Sequence, residues 1–373
     1  MSISLKGGTM KKAFILYFIL GLVSVHAQQI IDNPKTPLNK KSGRILTLKE
    51  VMRIAGDGEG YYYSGINKLQ IDGSGNIYIR DFWSTDQRAN FLVFSPNGQF
   101  LRDLYRQGEG PGEIQSAFDF VISESNIFVF DSMKRKIIIL ENNGKFMKEF
   151  KIKSGSSLGL IGIFKDWLIF KRKEIPSEIK TSRLYDEKSV IVFVSKDGEQ
   201  IKDFYTFINK EFRITKTQGG GMMGWDPFKS VIGDNMLFVC HSQEYLIKAL
   251  DLETGKVLKR FSRKYPRVKH KLQDWEKMFS SKFNAPKRKF EDDIEALFYD
   301  GNYLWVKTSI TDEKKGYLFD VFDSRGQFYD SFFINITGRI VKIDGDFLYT
   351  SEKDEDFLPY VVKYKIMDSI GTQ

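Results

Sequence analysis

The residues best equipped to hold a polar ligand, or to act on one, gather in the first third of the chain. Arg80-Asp81-Phe82-Trp83, Arg106, Glu109, Glu113, Asp131 and Arg135 combine carboxylates, guanidinium groups and one indole. Carboxylates accept from hydroxyls or hold calcium. Guanidinium groups pair with anions through a planar fork, and an indole is a stacking platform for a sugar ring. Each residue also has a plainer role. Asp81 and Asp131 both follow an apolar strand, where an aspartate caps a turn through neighbouring backbone N–H groups. Gly108, Gly110 and Gly112 permit a tight crossing between units. Arg106 and Glu113 would form an ion pair, and Trp83 would pack within its own loop.

Other chemistries lack their residues. The chain has three histidines, and His26 lies in a segment expected to be removed. His241 and His270 share no metal-ligand spacing with each other or with Cys240, which argues against zinc. Two histidines without a nucleophile elbow do not build a Ser-His-Asp triad. Gly219-Gly220-Gly221-Met222-Met223-Gly224-Trp225 lacks the Lys-Ser/Thr ending of a phosphate-binding loop and reads as a flexible connector. Cys240 ends the apolar run that starts at Met236, the setting of a buried, inert thiol.

A repeat must position the candidate residues. Its unit is an apolar strand, a Gly/Asn/Asp turn, an apolar-aromatic strand, a polar loop, a third strand, a Gly turn and a final strand. The first unit places strands at 66–71, 77–80, 91–94 and 99–105, with Asn97-Gly98 as a hairpin turn. The second places them at 117–122, 126–130, 136–140 and 145–150. Later units show strands at 167–170 and 190–194, then 236–240, 245–250 and 257–261, then 303–307, 317–322 and 327–333, and finally 340–343, 347–350 and 360–366. Self-similar four-stranded units of this spacing predict an all-β, six-bladed β-propeller of four-stranded antiparallel blades. A β-sandwich needs no such self-similarity. A seventh blade would need a hidden unit within 206–232. The sixth unit lacks its fourth strand, and an N-terminal strand from 43–48 and 51–54 is expected to close the ring. The insertion at 268–293 is highly charged. Leu272, Trp275, Met278 and Phe279 fall on roughly one helical face, which predicts a short helix docked on the propeller or offered to a partner.

Composition places the chain outside the cytoplasm and away from nucleic acid. Met10-Lys11-Lys12, an apolar stretch to Val25 and Val25-His26-Ala27 follow the order of a secretory signal cleaved after Ala27. No cysteine follows that stretch, so no lipoprotein anchor is expected. Residues 28–43 read as a linker, 44–366 as the propeller and 367–373 as a tail. The formal charge of +9 falls to +6 without Lys6, Lys11 and Lys12. The excess is spread along the chain, not gathered into a basic face. A periplasmic or secreted monomer without a membrane span is expected.

The segment Arg106-Gln107-Gly108-Glu109-Gly110-Pro111-Gly112-Glu113-Ile114, with Asn126-Ile127-Phe128-Val129-Phe130-Asp131 and Ile137 to Leu140, resembles the NHL-type propellers. More narrowly, it resembles the secreted six-bladed propeller proteins of gut and environmental bacteria. The resemblance covers about residues 44–366 and implies the fold more firmly than an activity. The blades lack the Asn-His-Arg pattern of NHL repeats. In such a ring the B–C loops and D-to-A connections share one face, and the tight turns share the other. A site is therefore expected on the loop face, at the mouth of the central channel. Propeller lactonases hold calcium in the channel, and here Asp81 and Asp131 would be its carboxylate ligands. Asn76 and Asn126 belong to the opposite face. Three readings follow. The first is a non-catalytic propeller binding a carbohydrate, a peptide or an envelope protein. The second is a calcium-dependent hydrolase or lyase acting on a lactone or carbohydrate. The third is a docking scaffold that uses 268–293.

Overall fold

Strands B and C of the blades read as unbroken apolar runs because both of their faces are covered. Phe91, Leu92, Val93 and Phe94 are all 0–1% exposed. Phe91 and Val93 pack with Phe118, Phe120 and Val129 of the next blade. Leu92 and Phe94 face Tyr349 and Val361 of the last. The same sharing recurs around the ring, giving six inter-blade cores among the described residues. Burial between sheets, and not an alternating water-facing side, sets the pattern.

The structure is a computed structural model that describes residues 30–81, 90–115, 118–153, 157–174, 183–214, 221–223, 227–368 and 370. The expected signal segment and Trp83 lie outside them. In each blade strands A to D follow chain order, and the A strands neighbour one another at the centre. Blade 1 is Ile66–Ile71, Ile77–Asp81, Phe91–Phe94 and Phe100–Asp103. Blade 2 is Phe118–Ile122, Asn126–Asp131, Lys136–Glu141 and Phe146–Lys151. Blade 3 is Ser157–Phe164, Trp167–Glu174, Arg183–Ser195 and Ile201–Ile214, with Gly221–Met223 added at its edge. Blade 4 is Phe228–Gly233, Met236–His241, Leu246–Asp251 and Val257–Arg263. Blade 5 is Ala296–Tyr299, Leu304–Asp312, Gly316–Phe322 and Phe328–Ile334. Blade 6 is Arg339–Asp344, Phe347–Lys353, Pro359–Ile366 and, from the N-terminus, Leu48–Ala55. The stretch 206–232 divides between blades 3 and 4 and holds no seventh unit among the described residues.

The ring closes as expected, with Ile54 opposite Val361, but the strand before it behaves differently. Arg44–Ile45 runs parallel to the outer strand of blade 5, and Ile30–Asn33, expected as linker, runs parallel to that of blade 4. The Asn33 amide nitrogen donates to Ser262 O (2.9 Å) and Gly326 O (3.0 Å), and its oxygen accepts from Phe328 N (2.9 Å). Arg44 forks onto buried Asp330 at 3.0 and 2.9 Å. The N-terminal segment thus covers the open edges of two blades before completing a third.

Blade 3 departs most from expectation. Strand B continues to Glu174 and strand C begins at Arg183, beyond the strands expected at 167–170 and 190–194. Strand C has 13 residues and strand D has 14. Both carry polar residues that read as loop yet pair in register, such as Glu187 opposite Asn209. The charges are accommodated in pairs: Lys173 lies 3.4 Å from Glu187, and Arg213 bonds Glu211. Gly221–Met223, expected as flexible connector, pairs with Phe212–Ile214.

The insertion contains one helix, α1 (Asp274–Phe283), started by a Gln273/Glu276 capping box and ended by Asn284 in the left-handed conformation. It docks through Phe279 and Phe283 onto Phe212 and Ile214 of the blade-3 extension. Trp275 and Met278, expected on the docking face, are 53% and 67% exposed. The helix has rotated to bury Glu276 and Ser280, because Glu276 binds Gln273 N and His270 while Ser280 bonds Ala285 O.

Candidate functional site

Asp81 and Asp131 occupy the same place in blades 1 and 2, at the loop-face end of strand B, and both are fully buried. Asp81 accepts from Ser64 N (3.1 Å), Ser64 Oγ (3.2 Å), Gly65 N (3.1 Å) and Asn90 Nδ2 (3.4 Å). Asp131 accepts from Gln115 N (2.9 Å), Met133 N (3.0 Å) and Lys134 N (3.1 Å). Each carboxylate ties its own B–C turn to the connection entering its blade. These are the caps that their position after an apolar strand allows. Their oxygens are occupied by N–H and O–H donors and serve separate blades, so the pair does not fit a calcium site. Among the described residues no group of three or more His, Cys, Asp or Glu side chains converges as metal ligands.

The Gly-Glu-Gly-Pro-Gly-Glu connection is bound into the frame in the same way. Glu113 turns back to accept from Gly110 N at 2.8 Å, and the expected Arg106–Glu113 pair does not form among the described residues. Glu109 pairs with Lys134 at 2.9 Å. Buried Lys136 bonds Gly110 O (3.2 Å) and Glu149 (3.0 Å), and Glu149 accepts from Gly112 N (3.0 Å). Gly112 sits at φ +76°, and a Cβ there would lie 2.8 Å from the Phe146 ring. Arg106 and Arg135 are exposed.

At the channel mouth, Lys68 of blade 1 reaches Asp119 of blade 2 (2.9 Å) and Leu160 O of blade 3 (3.4 Å). Arg80 lies 3.6 Å from Asp119 and over the Phe118 ring. Burial holds its guanidinium below its ordinary range, with Asp119 opposing. From blade 6, Arg339 donates to Ile66 O at 2.5 Å. These cations stitch inner strands together. The described residues among those expected to form a site therefore do share the loop face, but most of them hold the frame.

A better-formed concavity lies elsewhere on that face. The blade-3 extension and the insertion both rise from it, over the B–C turn of blade 4. Between them is a cavity of about 470 Å³. Lys210 and Phe212 line it from the extension, His241 and Gln243 from blade 4, and Arg267 and the run Pro286 to Phe290 from the insertion. The two arms of the insertion are zipped by Glu291 N to Val268 O (2.9 Å) and His270 N to Lys289 O (3.1 Å). His270 clamps the base of the helix between Glu291 (2.7 Å) and Glu276 (2.9 Å). Arg267 is held by Asp293 (3.0 Å) and Gln243 O (3.0 Å) over the Phe290 ring. Arg288 is held by Asp292 at 2.7 Å.

His241 stacks on Phe207 and accepts from Gln243 N at Nδ1 (3.1 Å). That bond leaves Nε2 to carry the proton of the neutral ring. Burial holds the imidazole below its ordinary range, against Glu244 and Asp292. Its neighbour Cys240 points into the core between blades 4 and 5, where burial pushes the thiol far up. The sequence singled out none of the cavity's residues individually for this place, although Pro286 to Phe290 fall within the 268–293 insertion that was expected to dock on the propeller or on a partner.

A search of curated protein sequences finds no match. Among solved structures, a protein of Bacteroides fragilis NCTC 9343 described as exported aligns with 91% of this chain and 100% of its own, at 12% identity and a TM-score of 0.55. A DUF4221 family member from Bacteroides vulgatus ATCC 8482 aligns with 88% of this chain and 100% of its own, at 12% identity and a TM-score of 0.57. At that identity the likeness concerns the fold. The model of DUF5128, a 6-bladed beta-propeller family, matches residues 55–256, which is more than half of the chain and runs from the closing strand into blade 4. The chain belongs to this family of six-bladed propellers.

Proposed function

We propose that the chain is an exported, non-catalytic binding propeller of the bacterial envelope, with its ligand seated in the cleft between the blade-3 extension and the 268–293 insertion. One observation carries this reading. The cleft is a concave space of ligand size, built by the two segments that depart from the plain blade repeat. Polar groups converge there on apolar walls. The signal-like order of residues 10–27 and the exported description of the similar Bacteroides fragilis protein support the compartment. No helix among the described residues is long and apolar enough to cross a membrane, which says nothing of strand-built spans. The hydrolase reading finds less support, because Asp81 and Asp131 are engaged as turn caps. The docking reading keeps one supporting feature, the exposed Trp275 and Met278 on α1.

The test is a binding screen of the chain from Gln28 against glycan, peptide and small-molecule panels, repeated with Gln243→Trp to fill the cleft. Hits lost in the variant at unchanged melting temperature support the reading. Hits that persist in it, or turnover of lactone or glycoside substrates, overturn it.

A further inference from the structure

The lining of the cleft is one-sided in charge. Lys210, Arg267, Lys287, Arg288 and Lys289 supply five cations, and no Asp or Glu is among the lining residues. Arg267 and Arg288 have their charge met from behind, by Asp293 and Asp292. Lys210, Lys287 and Lys289 have no carboxylate partner among the described residues. They stand on opposite walls. Lys210 comes from strand D of blade 3, and Lys287 and Lys289 from the returning arm of the insertion. Unpaired like charges facing one space repel one another, and a counter-anion between them removes that cost. Much of the remaining lining is apolar: Leu184, Phe212, Pro227, Pro286 and Phe290.

Resting on the reading above, we infer that the cleft binds a compact organic polyanion. This ligand carries at least two carboxylate, phosphate or sulfate groups on a frame with an apolar face. One anionic group sits between Lys210 and the Lys287/Lys289 wall. A second meets Arg267, whose guanidinium is already oriented by Asp293 and Phe290. The apolar frame rests on Phe212 and Pro227. The volume of about 470 Å³ suits a small molecule or a short oligomer.

The experiment is calorimetric titration of the chain from Gln28 with three probes and their neutral counterparts. The pairs are galacturonate trimer against galactose trimer, sucrose octasulfate against sucrose, and phytate against inositol. The probe that binds identifies the kind of anionic group. Expected is binding of at least one anion with no measurable binding of its counterpart, weakened at least tenfold in the triple variant Lys210→Gln/Lys287→Gln/Lys289→Gln. The three lysines are exposed, so the melting temperature of the variant stays unchanged, and Lys145→Gln on blade 2 serves as a charge control. Equal binding of neutral counterparts, full affinity in the triple variant, or no binding of any probe overturns the ligand class. A neutral ligand lost in Gln243→Trp would overturn only the class and keep the site. An anion that still binds Gln243→Trp would overturn the site itself.

Discussion

Replacing Asp131 separates its role as a structural cap from any role as a ligand. The carboxylate is fully buried and accepts three backbone N–H bonds, from Gln115, Met133 and Lys134. A hydrogen bond to a charged group contributes about 1.5–3 kcal/mol, and an orphaned buried donor costs about 1–3 kcal/mol. The three donors do not suffer alike. All three bonds are part-buried, but the turn carries exposed Ser132 and Met133 and regains water, whereas Gln115 lies in a half-buried connection. Asp131→Ala should therefore cost about 3 kcal/mol in all. Asp131→Asn keeps one acceptor oxygen but turns an NH2 group toward a donor, and should cost about 2 kcal/mol. In a chain of this length the alanine variant should melt roughly 5 °C lower, with asparagine in between. The assay is thermal unfolding of the chain from Gln28 and both variants, in excess calcium and in EDTA. An alanine variant within about 1 °C of the parent would refute the cap argument, given a scale of about 1–2 °C per kcal/mol at this length. So would a calcium-dependent rise in the parent that both variants abolish.

Three further perturbations test other parts of the frame. Burial lowers the His270 imidazole, but its bonds to Glu291 and Glu276 together outweigh that cost and hold it above its ordinary range. Its stabilisation is thus full below the unfolded value near 6.5 and lost as pH rises through the folded value. His270→Gln should cost on the order of 1 kcal/mol at pH 5.5 and less at pH 8.5; equal melting shifts at both pH values would contradict the clamp. Asp320, fully buried, receives Arg263 Nε at 2.7 Å, Ser331 Oγ at 3.0 Å and the Tyr245 hydroxyl. Asp320→Ala should cost about 3–5 kcal/mol by stranding Arg263, and adding Arg263→Met should recover part of it; a strictly additive double variant in chemical denaturation would contradict the pairing. Gly112→Ala forces an L side chain into φ +76° against Phe146 and should cost about 1–3 kcal/mol, read as a lower denaturation midpoint.

The blades were legible because each one repeats the same local physics. Ile77-Tyr78-Ile79 and Phe91 to Phe94 are apolar throughout because sheets cover both faces, and Gly98 and Gly144 mark the hairpins at positive φ. The caps were legible as an alternative, since an Asp after an apolar strand has turn N–H groups within reach. The extension of blade 3 was hidden by polar residues such as Glu187 and Asn209, which pair across strands only once the register is set. The orientation of α1 was misread because a helical stripe of Leu272, Trp275 and Met278 competes with what the rest of the molecule offers. Phe212 and Ile214 receive Phe279 and Phe283, and the His270–Glu276 bond turns the helix so that Trp275 faces solvent.

The amino-acid sequence by itself determined the six-bladed ring, since its units follow from hydrophobic runs and turn residues close together in the chain, and its closure by an N-terminal strand, since the sixth unit has no fourth strand of its own. Tertiary structure alone decided which side chains line the cleft. Lys210 and Lys289 lie 79 positions apart, and only the docking of an insertion from one blade on the extension of another sets them across one cleft. A site assembled from non-repeating segments has no local pattern to announce it, because its geometry comes from contacts that exist only after the blades have packed.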